Sequence, residues 1–139
     1  MNREMAEIIR NQRPLVLSPN ATVREACKEM DERKIGAVLI TDDGGALVGI
    51  FTGRDAVRVL SRCHDLATTC LEAVMTPDPA TMPPRATSIE ALRLMRDGGF
   101  RHLPVVENGR VAGIVSRGDF RGLEQDRLDE ETGIWERIR

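Results

Sequence analysis

The sequence has few aromatic residues and no long hydrophobic run, and each shortage excludes a class of protein. Aromatic residues make up 3% of the 139 residues, tyrosine is absent, and the formal net charge is −2. A nucleic-acid surface usually combines stacking aromatic side chains with positive charge, so no nucleic-acid partner is expected. The longest apolar stretch, residues 35–40, is too short to span a membrane, and residues 1–11 lack the hydrophobic block of a signal peptide.

Cysteine is also scarce, and the three that are present have no disulfide-like spacing. An odd number of cysteines fits a reducing compartment, so we expect a cytoplasmic protein. That compartment removes the context in which the adhesion tripeptide RGD, at residues 117–119, would act. Cys63, His64 and Cys70 lie close together in the sequence. They are either incidental residues of a linker or parts of a metal or redox site. A structural zinc site needs four ligands at closer spacing, so no metal is expected.

What the chain does contain is a repeat. Residues 19–30, PNATVREACKEM, match residues 84–95, PRATSIEALRLM, at six positions after a shift of 65. Residues 45–55, GALVGIFTGRD, match residues 109–119, GRVAGIVSRGD, after a shift of 64. With 41% hydrophobic and 30% charged residues, the composition is that of a globular protein. The chain is therefore expected to be a tandem pair of similar units.

The two copies predict the same order of helices and strands. Thr22 with Glu25, and Thr87 with Glu90, have the spacing of a capping box, so a helix should begin at each threonine. Apolar residues recur with helical period after the first of these threonines and place Cys27 in the core. Two β-rich runs separated by DDGG or ENG then predict a hairpin, which a second helix follows, DFRGLEQDRL in the second copy. With PLVLS and PATMP as leading strands, each half is predicted to be β-α-β-β-α.

These features resemble the CBS domain, named for cystathionine β-synthase. The resemblance rests on Pro-x-Ala-Thr and on Gly-Ile followed by a hydroxyl residue and Asp, which occur in both copies, and on the apolar strand LPVV in the second copy. It covers about residues 8–125. It implies an α/β fold in which two repeats pack about a pseudo-twofold axis and form two clefts. The expected boundaries are 1–7 for a lead-in, 8–66 and 67–125 for the repeats, and 126–139 for a C-terminal tail.

The resemblance also implies an adenosyl ligand, either AMP, ADP, ATP or S-adenosylmethionine, in clefts that take their aspartate from one copy and other contacts from the other copy. The aspartate would accept the ribose hydroxyls, while backbone N–H groups and the Thr or Ser hydroxyl would face a phosphate. The first expected cleft comprises Thr52, Arg54, Asp55, Thr76, Ala80, Arg101 and His102. The second comprises Leu15, Gly36, Ala37, Ser116, Arg117 and Asp119. Because the first set holds more basic residues, it is the one expected to be occupied if only one cleft is.

Structural roles are the alternative for several of these residues. Asp55 and Asp119 are also suited to be helix N-caps. Arg101 and His102 are also compatible with a solvated strand edge. Pro104 cannot donate to a sheet and marks an edge or bulge position, where a ligand would meet exposed backbone.

The sequence favours a binding module over an enzyme. Neither His64 nor His102 has a nearby residue that forms a recognisable nucleophile and base pair, so no catalytic residue and no required cofactor are expected. A regulatory module that signals to a separate protein partner is the resulting hypothesis, and the resemblance implies a homodimer. The tail that carries Trp135 would either fold back or dock on a second subunit. The alternative is a constitutive dimeric scaffold whose clefts stay empty.

Overall fold

The computed structural model describes residues 2–62 and 64–120. Along the chain its elements are α1 (Met5–Ile8), β1 (Val16–Leu17), α2 (Val23–Arg33), β2 (Ala37–Thr41), β3 (Leu47–Thr52), α3 (Gly53–Ser61), α4 (Leu71–Val74), β4 (Thr76–Pro77), α5 (Ser88–Gly98), β5 (His102–Glu107), β6 (Arg110–Ser116) and a 3₁₀ turn (Arg117–Asp119). This mixed α/β architecture is the predicted fold class. The tail with Trp135, and all but the start of the last predicted helix, lie outside the described residues.

The chain divides into two compact units. The first-repeat unit consists of Arg13–Pro79 and Asn108–Val111, and the described part of the second-repeat unit consists of residues 2–12, 80–107 and 112–120. These units differ from the repeats read along the sequence. The segment before the leading strand of each repeat belongs to the unit of the other repeat. Residues 2–12 bond to the second-repeat unit through α1, and residues 67–78 bond to the first-repeat unit through α4.

The first-repeat unit is built on a four-stranded sheet in the order β1-β2-β3-β4. Strands β1 and β2 are parallel, and the β2–β3 and β3–β4 pairs are antiparallel. Ala37 lies opposite Thr52, so the start of β2 adjoins the end of β3. The predicted DDGG turn is held by Asp42, whose Oδ1 accepts the N–H groups of Gly44 at 2.9 Å and Ala46 at 3.0 Å.

The second-repeat unit contains the β5–β6 hairpin. Its two-residue turn is Asn108-Gly109, with φ angles of 53° and 79°. Positive φ at both central positions is the geometry that suits the twist of a hairpin, and Asn-Gly adopts it readily. The predicted hairpin is therefore confirmed.

Pro104 shortens the leading strand of the second repeat. In the first repeat, Leu39 donates its N–H to the carbonyl of Leu15 at 3.0 Å. Pro104 occupies the position equivalent to Leu39 and has no N–H, so the carbonyl of Ala80, equivalent to Leu15, cannot receive this bond. The predicted strand PATMP is reduced to a single parallel bridge at Met82.

Both capping boxes predicted from the sequence are confirmed. Thr22 accepts the N–H of Glu25 at 3.1 Å and Thr87 accepts that of Glu90 at 3.4 Å, while each glutamate accepts the N–H of its threonine. Helix α5 ends at Gly99, whose φ of 71° is the left-handed conformation that glycine adopts without strain. These local signals set the helix ends.

The short helices α1 and α4 form a further repeated feature, which was not predicted. Met5 donates its N–H to the carbonyl of Ala86, and Leu71 donates to that of Ala21, both at 2.8 Å. Ala21 and Ala86 are equivalent positions of the two repeats. Each short helix therefore docks in the same way on the segment before the main helix of its unit.

Each unit has its own hydrophobic core. In the first-repeat unit the core consists of Leu15, Val23, Ala26, Met30, Val38, Ile40, Phe51, Val59 and Leu71, with the side chain of Cys27 packed against it as predicted. In the second-repeat unit it consists of Met5, Ile9, Ala86, Ile89, Ala91, Leu92, Met95, Leu103, Val105, Val115 and Phe120. Among the described residues, no helix has the length and apolar character that crossing a bilayer requires.

Candidate functional site: two strand-to-helix junctions

The first junction lies where β3 passes into α3. Thr52 is the helix N-cap, and its hydroxyl lies 3.5 Å from the N–H of Asp55. In return, Oδ2 of Asp55 accepts the N–H of Thr52 at 2.9 Å and its hydroxyl at 3.3 Å. Asp55 is thus the third helical residue of a capping box, and the proposed N-cap role belongs to Thr52 instead.

The other oxygen of Asp55 is also occupied. Oδ1 accepts the hydroxyl of Thr76 at 3.1 Å and lies 3.1 Å from Nη1 of Arg58. Only 2% of Asp55 is exposed. Burial of a carboxylate is tolerated when charged and hydroxyl donors satisfy it, and both kinds of donor are present here. The first junction is therefore a closed network.

The second junction, where β6 passes into the 3₁₀ turn, has the same box with an open side. Oδ2 of Asp119 accepts the N–H of Ser116 at 2.7 Å and its hydroxyl at 3.3 Å. Asp119 is exposed, and no hydrogen bond within residues 2–62 and 64–120 reaches its Oδ1. Position 122, equivalent to Arg58, is a glycine, so the second repeat has no arginine three residues after its aspartate. Asp119, like Asp55, is the third residue of its box and not the N-cap.

In each unit a backbone hydrogen bond holds the residue just before β2 or β5 beside the junction. Arg117 donates its N–H to the carbonyl of Arg101 at 2.9 Å, and the equivalent Gly53 donates to Gly36 at 3.2 Å. Arg101 therefore lies at the Asp119 junction, within the second-repeat unit.

His102 is electrostatically linked to the same junction. Burial lowers its pKa from the ordinary value, the positive charge of Arg101 lowers it further, and the carboxylate of Asp119 opposes both effects. Arg3 also reaches this junction, where its guanidinium donates to the backbone carbonyl of Asp119 at 2.9 Å. The second junction thus combines a carboxylate with several basic side chains.

The structure brings only some of the expected residues together within one unit. Thr76 contacts Asp55, as the expected first cleft requires. Arg101 and His102, the basic residues expected in that cleft, lie beside Asp119 within their own unit. Arg101 therefore contributes positive charge at the second junction.

The remaining expected residues contribute backbone or exposed atoms. Leu15 is buried, and its carbonyl is bonded to a strand neighbour, whereas Ala80 is exposed and no described residue bonds to its carbonyl. Gly36 and Ala37 lie at the start of β2, and the side chain of Ala37 is buried. Arg54 is exposed on the first turn of α3.

The segment between the repeats offers no metal site within the described residues. His64 is exposed, Cys70 is half-buried at the start of α4, and Cys63 falls outside the described part of the chain. The two interpretations of these thiols, as part of a metal or redox site or as incidental residues of a linker, therefore remain predictions.

Sequence reasoning missed two features of the first junction. Thr-x-x-Asp at residues 52–55 is itself a capping-box pattern, as Thr-x-x-Glu is in the main helices. Arg58 follows Asp55 by three positions, the spacing at which helical side chains meet. Both signals are present in the sequence and favour a structural use of Asp55.

The family model of the CBS domain matches residues 5–62 and 71–125. The chain belongs to the CBS domain family. The two matches cover both repeats, so the predicted CBS pair is confirmed. The CBS domain-containing protein CBSCBSPB1 of Arabidopsis thaliana is 40% identical over 108 residues, which are 77% of this chain and 20% of that protein. This CBS pair thus spans about a fifth of that curated relative.

Solved CBS structures share the fold. The CBS-domain containing protein ATU1752 from Agrobacterium tumefaciens is 33% identical, with a TM-score of 0.76 and coverage of 84% of this chain and 89% of that one. The CBS domain pair of protein MJ0100 is 26% identical, with a TM-score of 0.78 and coverage of 91% and 98% respectively. The MJ0100 structure is a complex with 5′-methylthioadenosine and S-adenosyl-L-methionine.

Proposed function

We propose that this CBS pair is a non-catalytic regulatory module that binds an adenosyl ligand, either AMP, ADP, ATP or S-adenosylmethionine, and signals to a protein partner in the cytoplasm. The adenosyl compounds bound by the MJ0100 pair support this ligand class. The observation that carries the proposal is the exposed Asp119 carboxylate, whose Oδ1 is left open by every described residue.

The second junction supplies the chemistry for a nucleoside. Oδ1 of Asp119 is an acceptor for a ribose hydroxyl, while Oδ2 keeps its bonds to Ser116. Arg101 and Arg117 provide guanidinium groups for a phosphate, and a neutral His102 provides a further donor. We therefore propose that the ligand set around Asp119 includes these basic residues.

The first junction binds a ribose less readily. Both oxygens of Asp55 already accept hydrogen bonds, so a ribose hydroxyl must replace Thr76 or Arg58. Thr52 and Arg54 remain candidates for contacts there. We propose that the Asp119 site fills first, which reverses the order expected when Arg101 and His102 were assigned to Asp55.

Calorimetry with AMP, ADP, ATP and S-adenosylmethionine tests this function. We expect at least one of them to bind, and Asp119→Asn to weaken binding by about tenfold or more, since the neutral amide replaces a charged acceptor. Asp43→Asn is the matched control, because Asp43 is exposed in the hairpin turn and bonds to neither junction. Absence of heat with all four compounds would favour the constitutive scaffold. Loss of binding in Asp55→Asn with full binding in Asp119→Asn would reverse the proposed order.

The same module is proposed to form a homodimer. Val57 and Leu60 lie three positions apart on α3 and are 65% and 63% exposed, so they form a small apolar surface for a second subunit. Analytical ultracentrifugation of two variants identifies which surface a dimer uses. One variant is Val57→Ser/Leu60→Ser, and the other is a chain truncated after residue 126. A dimer unchanged in the truncated chain excludes the tail, including Trp135, as its clamp.

A further inference from the structure

A second candidate binding site lies within the first-repeat unit, outside both ligand sets. A cavity of about 320 Å³ is formed by the C-terminal half of α3, the residues after it, and α4 with its C-terminal neighbour. Its polar lining consists of Arg58, Arg62 and His64, and its apolar lining includes Val59, Val74 and Met75. This volume lies at the lower end of the range for small-molecule pockets.

The polar lining contains two guanidinium groups, of which that of Arg58 is paired with Asp55. Arg58 on α3 and Arg62, the C-cap residue of that helix, are four positions apart, a spacing at which like charges repel. No carboxylate among the described residues lines the cavity. Within that part of the chain, neither the guanidinium of Arg62 nor the ring of His64 has a hydrogen-bond or ion-pair partner. The arrangement places two guanidinium groups beside an apolar wall, and among the described residues the carboxylate of Asp55 pairs with Arg58 but not with Arg62.

We propose that this cavity binds a small oxyanion, a carboxylate or phosphate, carried on a short apolar body. Guanidinium groups bind carboxylates and phosphates through paired N–H donors, and two of them one helical turn apart can hold one anion between them. The aliphatic and thioether side chains of Val59, Val74 and Met75 supply the contact surface for the apolar body. An anion here also removes the repulsion between the two arginines.

Arg58 connects this cavity to the first junction. One of its nitrogens lies 3.1 Å from Oδ1 of Asp55, the same oxygen that accepts the Thr76 hydroxyl. An anion in the cavity competes with Asp55 for Arg58 and releases Oδ1 for a ribose hydroxyl. This second part rests on the proposed function: the oxyanion and the adenosyl ligand then strengthen each other's binding by the same factor.

The first test uses phenyl phosphate as the probe, with inorganic phosphate and phenol as its two halves. Binding is followed by the methyl NMR signals of Val59, Val74 and Met75. We expect phenyl phosphate to bind more tightly than either half. Arg62→Gln should weaken it by about tenfold, because a charge-assisted contact is lost. Arg24→Gln, an exposed arginine on α2 of the same unit, should leave it unchanged. No methyl shift at millimolar phenyl phosphate, or equal affinity in Arg62→Gln, overturns the site.

The second test uses one substitution that is expected to change the affinity of the cavity and the affinity of the adenosyl site in opposite directions. Asp55→Asn removes the charge that competes for Arg58, so phenyl phosphate should bind several-fold more tightly, whereas an adenosyl ligand at the first junction should bind less tightly. Unchanged or weaker phenyl phosphate binding in Asp55→Asn overturns the role of Arg58. The phenyl phosphate result does not depend on an adenosyl ligand, so failure of the proposed function and failure of this inference give different outcomes.

Discussion

Asp55 and Asp119 occupy equivalent positions in equivalent capping boxes, yet their surroundings differ. Asp55 is 2% exposed and also accepts from Thr76 and Arg58, whereas Asp119 is exposed and uses one oxygen. The difference follows from single residues, since the position equivalent to Arg58 is Gly122. One aspartate is thus mainly a structural residue and the other is open to a ligand.

This contrast predicts unequal effects on stability. Asp55→Ala removes the box and leaves buried donors without an acceptor, so we expect it to lower the free energy of unfolding by about 2–4 kcal/mol. Asp119→Ala removes only an exposed capping contact and should cost about 1 kcal/mol. Urea denaturation followed by circular dichroism measures both. Equal losses in the two variants would contradict the closed network around Asp55.

His102 gives a prediction on pH. Its pKa lies below the ordinary value of 6.5, through burial and then through Arg101, while Asp119 opposes the decrease. A histidine with a lowered pKa in the folded state is protonated more readily in the unfolded chain. Its contribution to stability is therefore present above about pH 6.5, the unfolded-state value, and is lost as the pH falls from there through the lower pKa of the folded state.

NMR titration of the His102 ring tests the two charges separately. Arg101→Gln should raise the pKa of His102, and Asp119→Asn should lower it further. A bound phosphate group should raise it, whereas the cationic S-adenosylmethionine should not. The same titration therefore also distinguishes the two classes of proposed ligand. A shift of the same sign in both variants would show that His102 does not lie between these charges.

Strands β3 and β6 are equivalent, but on the outer side β3 pairs with strand β4 whereas β6 bonds to a single side chain, that of Gln12. In the first-repeat unit, β4 pairs with β3 and joins Thr76 to Ile50. In the second-repeat unit, the side chain of Gln12 bonds to Ile114, the equivalent of Ile50, by donating to its carbonyl and accepting its N–H, both at 2.6 Å. The amide of Gln12 thus satisfies the backbone as a strand residue would.

Gln12→Glu keeps the acceptor but loses the donor. A carboxylate oxygen then faces the carbonyl of Ile114, and we expect the free energy of unfolding to decrease by about 1–2 kcal/mol at neutral pH. Because the facing carbonyl raises the pKa of this carboxyl group and the protonated acid can donate again, the deficit relative to the parent protein should shrink as the pH falls toward about 4. Urea denaturation at both pH values measures this. A deficit independent of pH would show that the Gln12 donor is not important.

The two strand glycines at equivalent positions predict a second contrast. A Cβ at Gly113 would lie 2.8 Å from Cβ of Ile9, and one at Gly49 would clash with Sδ of Met75. A methionine can move its flexible end, whereas the branched Cβ of Ile9 is held by the backbone of its segment. Gly113→Ala should therefore lower the melting temperature more than Gly49→Ala, corresponding to about 1–3 kcal/mol. Equal decreases in thermal unfolding would contradict this ranking.

The elements that sequence reasoning predicted well are those with local signals. The capping boxes at Thr22 and Thr87 need only residues three positions apart, and the Asn108-Gly109 turn needs only two. The four-residue helices α1 and α4 were missed because a helix this short is unstable alone and depends on its bonds to another segment. Such bonds, including that of Met5 to Ala86, join residues far apart in the chain.

The candidate site was predictable in its residue types and less so in its grouping. The Asp and hydroxyl residues of each junction follow from the repeat, and Thr76 does contact Asp55. The position of Arg101 beside Asp119 depends on how the end of β6 adjoins the start of β5, which no local pattern specifies. The proximity of Arg101 to Asp119 therefore required the structure.

For the chain as a whole, the two units are linked by repeated crossings. The chain passes between them after residues 12, 79, 107 and 111, and the last crossing falls within β6. Unfolding of one unit therefore also unfolds chain segments that connect directly to the other unit, namely part of strand β6 and a segment that carries a short helix. We expect a single cooperative unfolding transition, as in most small proteins.

Met5→Ala and Leu71→Ala test this cooperativity. Both side chains are fully buried at equivalent positions, Met5 in the second-repeat unit and Leu71 in the first-repeat unit. Each substitution should cost about 2–5 kcal/mol by leaving a cavity. If the chain unfolds as one body, both variants shift the same urea transition, with an unchanged slope, and hydrogen exchange accelerates in the cores of both units. A second transition, or faster exchange confined to the substituted unit, would show that the two units unfold separately despite sharing a strand.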